Sequence, residues 1–150
     1  MIEHTEHVDV DRPPGEVYAF LADPTNQVQW RREVKSMELV SGEPRSPGAR
    51  YRQVMQPGRR ESVGTHEIVA VDPPRKIEWR TPADEGPLQF TGYWGVEPRD
   101  SGSRVAIHAE VRPRGLWRLG EPFMKWYLRK VSRRYARDLE AALRQAPSAA

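Results

Sequence analysis

The chain has 150 residues, with 24 lysines and arginines, 21 acidic residues and no cysteine. This length fits one domain that buries its own core, and the lack of cysteine excludes disulfides, thiolate metal sites and a cysteine nucleophile. No apolar run approaches the ~20 residues that span a bilayer, and the N-terminus lacks the basic start and apolar run of a signal peptide. A cytoplasmic protein, monomeric or homodimeric and without stable membrane insertion, is therefore expected.

The first 30 residues predict one strand and two short helices. Weak alternation of apolar and polar residues predicts a strand over 2–10. The two prolines that follow suit the first turn of a short helix, which is expected to stop near Asp23. Asp23 is predicted to cap a second short helix that starts at Pro24 and carries Trp30.

From residue 34 the apolar residues recur with a period of two, which indicates strands. The predicted strands are 34–41, 48–57, 61–72, 75–82, 87–98 and 103–112. Short connections made of turn-forming residues favour an antiparallel meander. Two of the strands have a legible apolar face, formed by Leu88, Phe90, Gly92, Trp94 and Val96 and by Val105, Ile107, Ala109 and Val111.

A long helix is predicted at the C-terminus, with Pro122 in its first turn and Pro147 beyond its end. One apolar stripe follows it at helical spacing: Phe123, Trp126, Tyr127, Val131, Tyr135, Leu139 and Leu143. There are no internal repeats or linkers. The sequence thus predicts one domain over residues 1–146 and a tail over 147–150.

A seven-stranded antiparallel sheet and one long helix are expected to leave empty space between them. A twisted sheet of this width curls, and a helix about 10 Å across cannot fill its concave side. The expected result is an α+β fold in which a curved sheet wraps around the C-terminal helix and leaves an apolar cavity between them, a common kind of small-molecule site.

Three motifs carry a resemblance to a known superfamily. They are Val8-x-Val10-x-x-Pro13-Pro14-x-Glu16-Val17-Tyr18-x-Phe20, Asp23-Pro24 with Trp30, and Val71-Asp72-Pro73-Pro74-Arg75-Lys76-Ile77-x-Trp79. Over roughly residues 2–145 the sequence resembles the SRPBCC superfamily of START-like, helix-grip domains, which includes polyketide cyclase/dehydrase and lipid-transport proteins. The resemblance implies a deep pocket for a hydrophobic ligand between the sheet and the C-terminal helix.

The sequence is compatible with three functions. The first is binding of a lipid, a polyketide-like metabolite or another apolar or aromatic small molecule. The second is a polyketide cyclase/dehydrase-type enzyme that positions its substrate and uses acid–base side chains. The third is a protein-interaction or co-chaperone module, which predicts a filled cavity and an exposed apolar patch.

Aromatic residues and their neighbours are the main candidates for ligand contact. The predicted set is Trp30, Tyr51, Gln53, Met55, Trp79, Phe90, Trp94, Ile107, Phe123, Trp126 and Tyr127. Packing in the core is the alternative role, above all for Phe90 and Phe123. Tryptophan and tyrosine combine a flat apolar surface with a polar group that needs a partner when buried.

Glu67 and His66 are the candidate catalytic residues. If Glu67 faces the cavity, burial raises the pKa of its carboxyl group and makes it a proton donor near neutral pH. His66 qualifies because the ordinary pKa of histidine suits proton transfer, although its strand face depends on bulges. Arg80 follows Trp79 and is expected to face away from it, so the catalytic residues of a cyclase are not matched one for one.

No cofactor and no metal site are expected. His4 and His7 lie three apart on one strand, so they face opposite sides and cannot bind one metal ion. His108 alternates with Ile107 and is expected to face outward. No phosphate-binding glycine motif and no serine-nucleophile motif is present. Asp84 and Glu85 lie in a turn and are best explained as solvated.

Two features near the C-terminus remain to be placed. Residues 114–120 contain apolar side chains between glycines, so they predict either a lid over the cavity or a loop tucked into the core. Residues 118–145 contain eight basic and three acidic residues, so the basic charge belongs to the long helix. A solvated outer face explains that charge, with peripheral contact to an anionic membrane or an acidic protein as the alternative; no nucleic-acid motif accompanies it.

Overall fold

In the computed structural model, which describes residues 1–82, 86 and 88–146, one sheet contains seven antiparallel strands. They are β1 (Ile2–Val10), β2 (Val34–Ser41), β3 (Arg50–Met55), β4 (Ser62–Asp72), β5 (Lys76–Arg80), β6 (Leu88–Arg99) and β7 (Gly102–Pro113). Their order across the sheet is β1-β7-β6-β5-β4-β3-β2, so β2 to β7 form a meander and β1 pairs with β7. The predicted sheet is confirmed over the described residues, and only β3 and β5 are shorter than predicted by more than two residues in total.

Two short helices lie between β1 and β2. Helix α1 spans Pro14–Ala22, and the second is a 3-10 helix over Pro24–Gln29. As the sequence predicts, the Asp23 carboxylate begins this second helix, because it accepts a hydrogen bond of 3.1 Å from the Thr25 N–H.

The long C-terminal helix runs alongside β1. A 3-10 turn, Gly115–Gly120, leads into α2, Glu121–Gln145, with proline in its first turn. The amino group of Met1 lies 3.9 Å from the Glu121 carboxylate, and Arg12 at the far end of β1 donates to the carbonyl of Ala146. The helix therefore follows β1 along its whole length, which gives the helix-grip arrangement. Residues 83–85, 87 and 147–150 lie outside the described part of the chain. They include Asp84, Glu85 and the predicted tail.

A bulge in β4 changes the alternation of its side chains part-way along the strand. The pairing of β4 with β5 shifts register between Ile68 and Ala70. His66 and Ile68, which precede the bulge, point to the same side as Trp79 and Trp94, and Glu67 points to the other side. We call the side that carries α2 the inner face and the opposite side the outer face.

The core lies between the inner face, α1 and the C-terminal half of α2. Its fully buried members come from all three: Val17, Leu21, Trp94, Val96, Val105, Ile107, Leu139 and Leu143. Among the described residues, no helix is long and apolar enough to cross a membrane.

Candidate ligand site

The inner face has a packed half and an open half. In the packed half the inward side chains are buried: Trp94, Val96, Val105 and Ile107. In the open half most inward side chains are only partly buried: Met55, Gly64, Trp79, Phe90, Gly92 and Ala109. Val111, beside Phe90, is buried. The glycines and the alanine near its centre add little side-chain volume of their own, and the indole of Trp79 lies over Gly92.

Five rings meet at the border between the two halves, and we call them the aromatic cluster: Trp30, His66, Trp79, Trp94 and Tyr135. The imidazole of His66 stacks against both indoles of the sheet, with ring centroids 5.6 Å from Trp79 and 5.8 Å from Trp94. Trp30 makes edge-on contacts with Trp94 at 5.7 Å and with Tyr135 at 5.8 Å. Such geometries are favourable between rings beyond the area they bury. The cluster joins β4, β5 and β6 to α2.

A chain of polar side chains runs beside these rings. Gln27 Nε2 lies 3.4 Å from His66 Nε2. The guanidinium of Arg31 donates hydrogen bonds to the side-chain amide oxygens of Gln27 and Gln53. The Arg31 guanidinium carbon also lies 5.2 Å from the ring centroid of Tyr135. Arg31 therefore brings a positive charge and further N–H donors to the inner face, where a ligand oxygen could accept from them.

His66 is neutral at the pH values at which most proteins work. Its complete burial, and secondly the positive charge of Arg31, lower the pKa of His66 to about 3. A neutral imidazole can accept one hydrogen bond and donate another. It cannot act as a general acid near neutral pH.

The indole N–H of Trp79 is a second polar group of interest. It is buried and has no hydrogen-bond partner among the described residues. A buried donor without a partner costs free energy, so an acceptor atom on a bound ligand would be favourable at this position.

Helix α2 is fixed beside the aromatic cluster by a carboxylate from the connection before β2. Glu33 accepts a hydrogen bond of 2.9 Å from the Tyr135 hydroxyl and forms an ion pair with Arg134. Glu33 is buried, so this contact is shielded from solvent. It sets the position of Tyr135 relative to Arg31.

The residues predicted from sequence to contact a ligand separate into three groups. Trp30, Tyr51, Gln53, Trp94 and Ile107 are buried, and the Tyr51 hydroxyl accepts from the N–H of Arg45, which gives it a structural partner. Met55, Trp79 and Phe90 are partly buried in the open half. Phe123, Trp126 and Tyr127 are 65%, 53% and 44% exposed, so the first two turns of α2 do not bury the predicted stripe.

Glu67 is a candidate proton donor only if it faces the cavity, and the structure places it on the other side of the sheet. Glu67 lies on the outer face, where its carboxylate forms ion pairs with Arg50 at 2.7 Å and Arg80 at 2.8 Å. The bulge after Ile68 does not turn it inward, because His66 and Ile68 already occupy the inward positions. Arg80 faces away from Trp79, as expected, and the two arginines give the carboxylate a structural role.

A group that could hold a metal ion lies on the outer face. Ligand atoms of Glu3, His108 and Glu110 are all within 4.8 Å of one another, a proximity that the pairing of β1 with β7 creates and residue spacing does not reveal. His108 is hydrogen-bonded to Thr5 at 2.7 Å and to Glu110 at 3.1 Å. These contacts explain the cluster without a metal.

Two shallow cavities lie away from the open half. One, of about 290 Å³, is lined by residues of α1 and the end of α2, including Arg12, Phe20 and Leu143. The other, of about 270 Å³, lies between Trp30 and Asp138. Of the two arrangements predicted for residues 114–120, the loop packed into the core is not observed, because Leu116 and Trp117 are exposed.

This architecture and its sequence match a described family. The family model for polyketide cyclase / dehydrase and lipid transport matches residues 1–144. The chain belongs to this family. No curated protein matches the sequence.

Several solved structures share the fold at low sequence identity. A protein from Thermus thermophilus has a TM-score of 0.80 and 21% identity, covering 97% of this chain and 99% of its own. The Zhui aromatase/cyclase from a Streptomyces species has a TM-score of 0.78 and 15% identity, and the match covers 98% of this chain and 96% of that protein. A START superfamily protein from Mycobacterium smegmatis has a TM-score of 0.81 and 14% identity, and the match covers 95% of this chain and 97% of that protein. The fold of this chain is thus similar to that of an aromatase/cyclase and to that of a START superfamily protein.

Sequence reasoning predicted Gln53 and His66 but missed three other polar residues of the site. Gln27, Arg31 and Glu33 lie in or just after the second short helix, where polar residues are expected at the surface. No spacing signal marks them, because only the packing of that helix between the sheet and α2 turns them inward.

Proposed function

We propose that this family member binds a hydrophobic or aromatic small molecule in the open half of the inner face, beside α2. The observation that carries the proposal is the division of the inner face: one half is packed, while Met55, Trp79, Phe90 and Ala109 are only partly buried. Partly buried apolar surface on the concave side of a sheet is a favourable place for an apolar ligand.

The polar groups at the border suggest the ligand's chemistry. Arg31 and the unpartnered Trp79 N–H both offer donors, and the neighbouring rings offer flat apolar surfaces. We therefore expect a ligand with an apolar or aromatic body and at least one oxygen acceptor, such as a ketone, phenol or carboxylate.

A cavity-filling variant tests the site without removing a contact. Ala109→Leu would place a larger side chain on the inner face, and Ala106→Leu on the outer face of the same strand is its matched control. Trp fluorescence titrations would use a panel of long-chain fatty acids and flat polycyclic phenols, with native mass spectrometry for any co-purifying compound. We expect Ala109→Leu to weaken binding about tenfold or more and Ala106→Leu to leave it unchanged.

Two outcomes would contradict the proposal. One is a native protein that carries no compound and binds no member of the panel. The other is an equal loss of affinity in the two alanine variants, since only Ala109 lies on the inner face.

A second candidate function is an enzyme of the cyclase/dehydrase kind. Arg31 on the inner face favours it, because its guanidinium can stabilise an enolate-like oxygen, whereas His66, with its pKa lowered to about 3, is a weak base. The distinguishing measurement is a mass change of a bound polyketide-like compound over time. Under this alternative, Arg31→Gln lowers the rate of that change more than it lowers binding.

A further inference from the structure

The 3-10 turn and the start of α2 carry a row of large apolar side chains that the fold leaves uncovered. Leu116 and Leu119 are 84% and 81% exposed, and Trp117, Phe123 and Trp126 are each more than half exposed. Phe123 and Trp126 touch, with ring centroids 5.9 Å apart. We call the exposed surface of residues 114–130 the basic–aromatic patch. Exposed apolar surface of this extent usually marks an interaction site.

The patch also carries a concentrated positive charge. Residues 114–130 contain five cations, Arg114, Arg118, Lys125, Arg129 and Lys130, and one acid, Glu121. Glu121 already lies 3.9 Å from the amino group of Met1. Among the residues that the structure describes, none of the five cations forms an ion pair, and the amine of Lys130 lies 5.1 Å from the ring centroid of Trp126.

Three of the other four basic residues of α2 do form ion pairs: Arg133, Arg134 and Arg144 pair with Glu6, Glu33 and Glu140. The five cations of the patch are thus concentrated around the start of the helix, which also exposes its aromatic rings. Charge and apolar surface coincide there.

We propose that the basic–aromatic patch docks this protein on the surface of an anionic lipid bilayer. Tryptophan rings and leucines favour the interfacial region of a membrane, and cations beside them are attracted to anionic headgroups. Because no described helix is long and apolar enough to cross the bilayer, the patch lies on the membrane surface. The proposal does not depend on the identity of the ligand in the open half.

A second copy of this chain is the other candidate to cover the apolar side chains of the patch, and charge complementarity argues against it. A two-fold dimer through this patch would bring its five cations against their own copies, with only one acid on each side. An anionic lipid surface supplies the opposite charge across the whole patch.

Vesicle co-sedimentation of the full chain tests the proposal. The probes are vesicles of phosphatidylcholine alone and of phosphatidylcholine mixed with phosphatidylglycerol. We expect binding to the mixed vesicles, little binding to the neutral ones, and a loss of binding as salt concentration rises. This measurement on the native chain needs no variant.

Two double variants separate the charged and apolar contributions. Lys125→Gln with Arg129→Gln is expected to weaken binding about 25-fold, since each cation near an anionic surface contributes about fivefold. Leu116→Ser with Leu119→Ser is expected to weaken it about tenfold or more through lost apolar insertion. The matched controls are Arg59→Gln with Arg60→Gln and Val40→Ser with Val63→Ser, which change exposed residues elsewhere and are expected to bind like the native chain.

Circular dichroism and cooperative thermal unfolding establish that each variant folds. The proposal is overturned if the native chain ignores anionic vesicles or binds neutral ones equally well. It is also overturned if patch and control variants lose affinity to the same extent. Finally, sedimentation equilibrium that shows a dimer dissociated by the two leucine substitutions would assign the patch to a second copy instead.

Discussion

Gly92 controls how closely the aromatic cluster approaches the sheet. A Cβ atom at this position would lie 2.3 Å from the carbonyl oxygen of His108 and 2.6 Å from Cζ2 of Trp79. The indole of Trp79 can therefore lie over the strand only because residue 92 has no side chain. One residue thus decides both the packing of Trp79 and the depth of the open half.

The effect of adding a single methyl group follows directly. Gly92→Ala is expected to lower the free energy of unfolding by about 1–3 kcal/mol, because the backbone of β7 cannot move away from the new atom. The matched control is Gly95→Ala in the same strand, where the nearest atom to the new Cβ is 3.6 Å away. Urea denaturation measures both, and equal stabilities of the two variants would contradict the explanation.

At the scale of the element, α2 packs into the core with its C-terminal half, whereas the apolar residues of its first two turns are exposed. Glu33 contacts Arg134 and Tyr135 in the middle of the helix, and Arg32 pairs with Asp138 at 2.8 Å one turn further on. Both contacts come from the connection between the second short helix and β2. In the first turn of the helix Glu121 lies 3.9 Å from the amino group of Met1, and the apolar side chains Phe123, Trp126 and Tyr127 are exposed there.

The two anchors are expected to differ in energy. Glu33→Gln should lower the free energy of unfolding by about 1–3 kcal/mol, since it leaves a partly buried guanidinium without its charged partner. Asp138→Asn should cost less than about 1 kcal/mol, because Arg32 is largely exposed and its ion pair is screened by water. Thermal or chemical denaturation compares them, and a larger loss for Asp138→Asn would refute the assignment.

At the scale of the whole molecule, folding is coupled to pH through His66. Unfolded, His66 has an ordinary pKa of about 6.5 and takes up a proton below it; folded, its pKa is lowered to about 3. Between these values the unfolded state binds more protons, so stability falls as pH falls. Above about pH 6.5 the imidazole is neutral in both states and makes no pH-dependent contribution.

Replacing His66 with a group that does not titrate isolates this effect. As pH falls from 6.5 to 4.5, the native chain should lose about 2–3 kcal/mol more of its unfolding free energy than His66→Gln does, at about 1.4 kcal/mol per pH unit. Urea unfolding at several pH values measures the difference. The control is His7→Gln, which removes an exposed histidine and should follow the native profile. A constant gap between native chain and His66→Gln would show that His66 is not neutral in the fold.

Most of the fold was predictable because its signals are local. The period-two strands, the carboxylate of Asp23 before its helix and the proline in the first turn of α2 all depend on neighbouring residues. The site was predictable only in part. Phe90 was predicted as a ligand contact because it lies on a strand with a clear apolar face, whereas Arg31 and Gln27 were not predicted, because polar residues in or beside a short helix give no directional signal.

The sequence alone determined the order of the elements, the antiparallel meander, the amphipathic helix and the concentration of basic residues near the C-terminus. Only the tertiary structure decided which side of β4 faces inward, which part of the apolar stripe of α2 is buried and which of the described cations form ion pairs. The reason is physical. Periodicity follows from backbone geometry a few residues at a time, whereas a bulge, a close approach at glycine or an ion pair across more than 100 residues exists only after the sheet has closed on the helix.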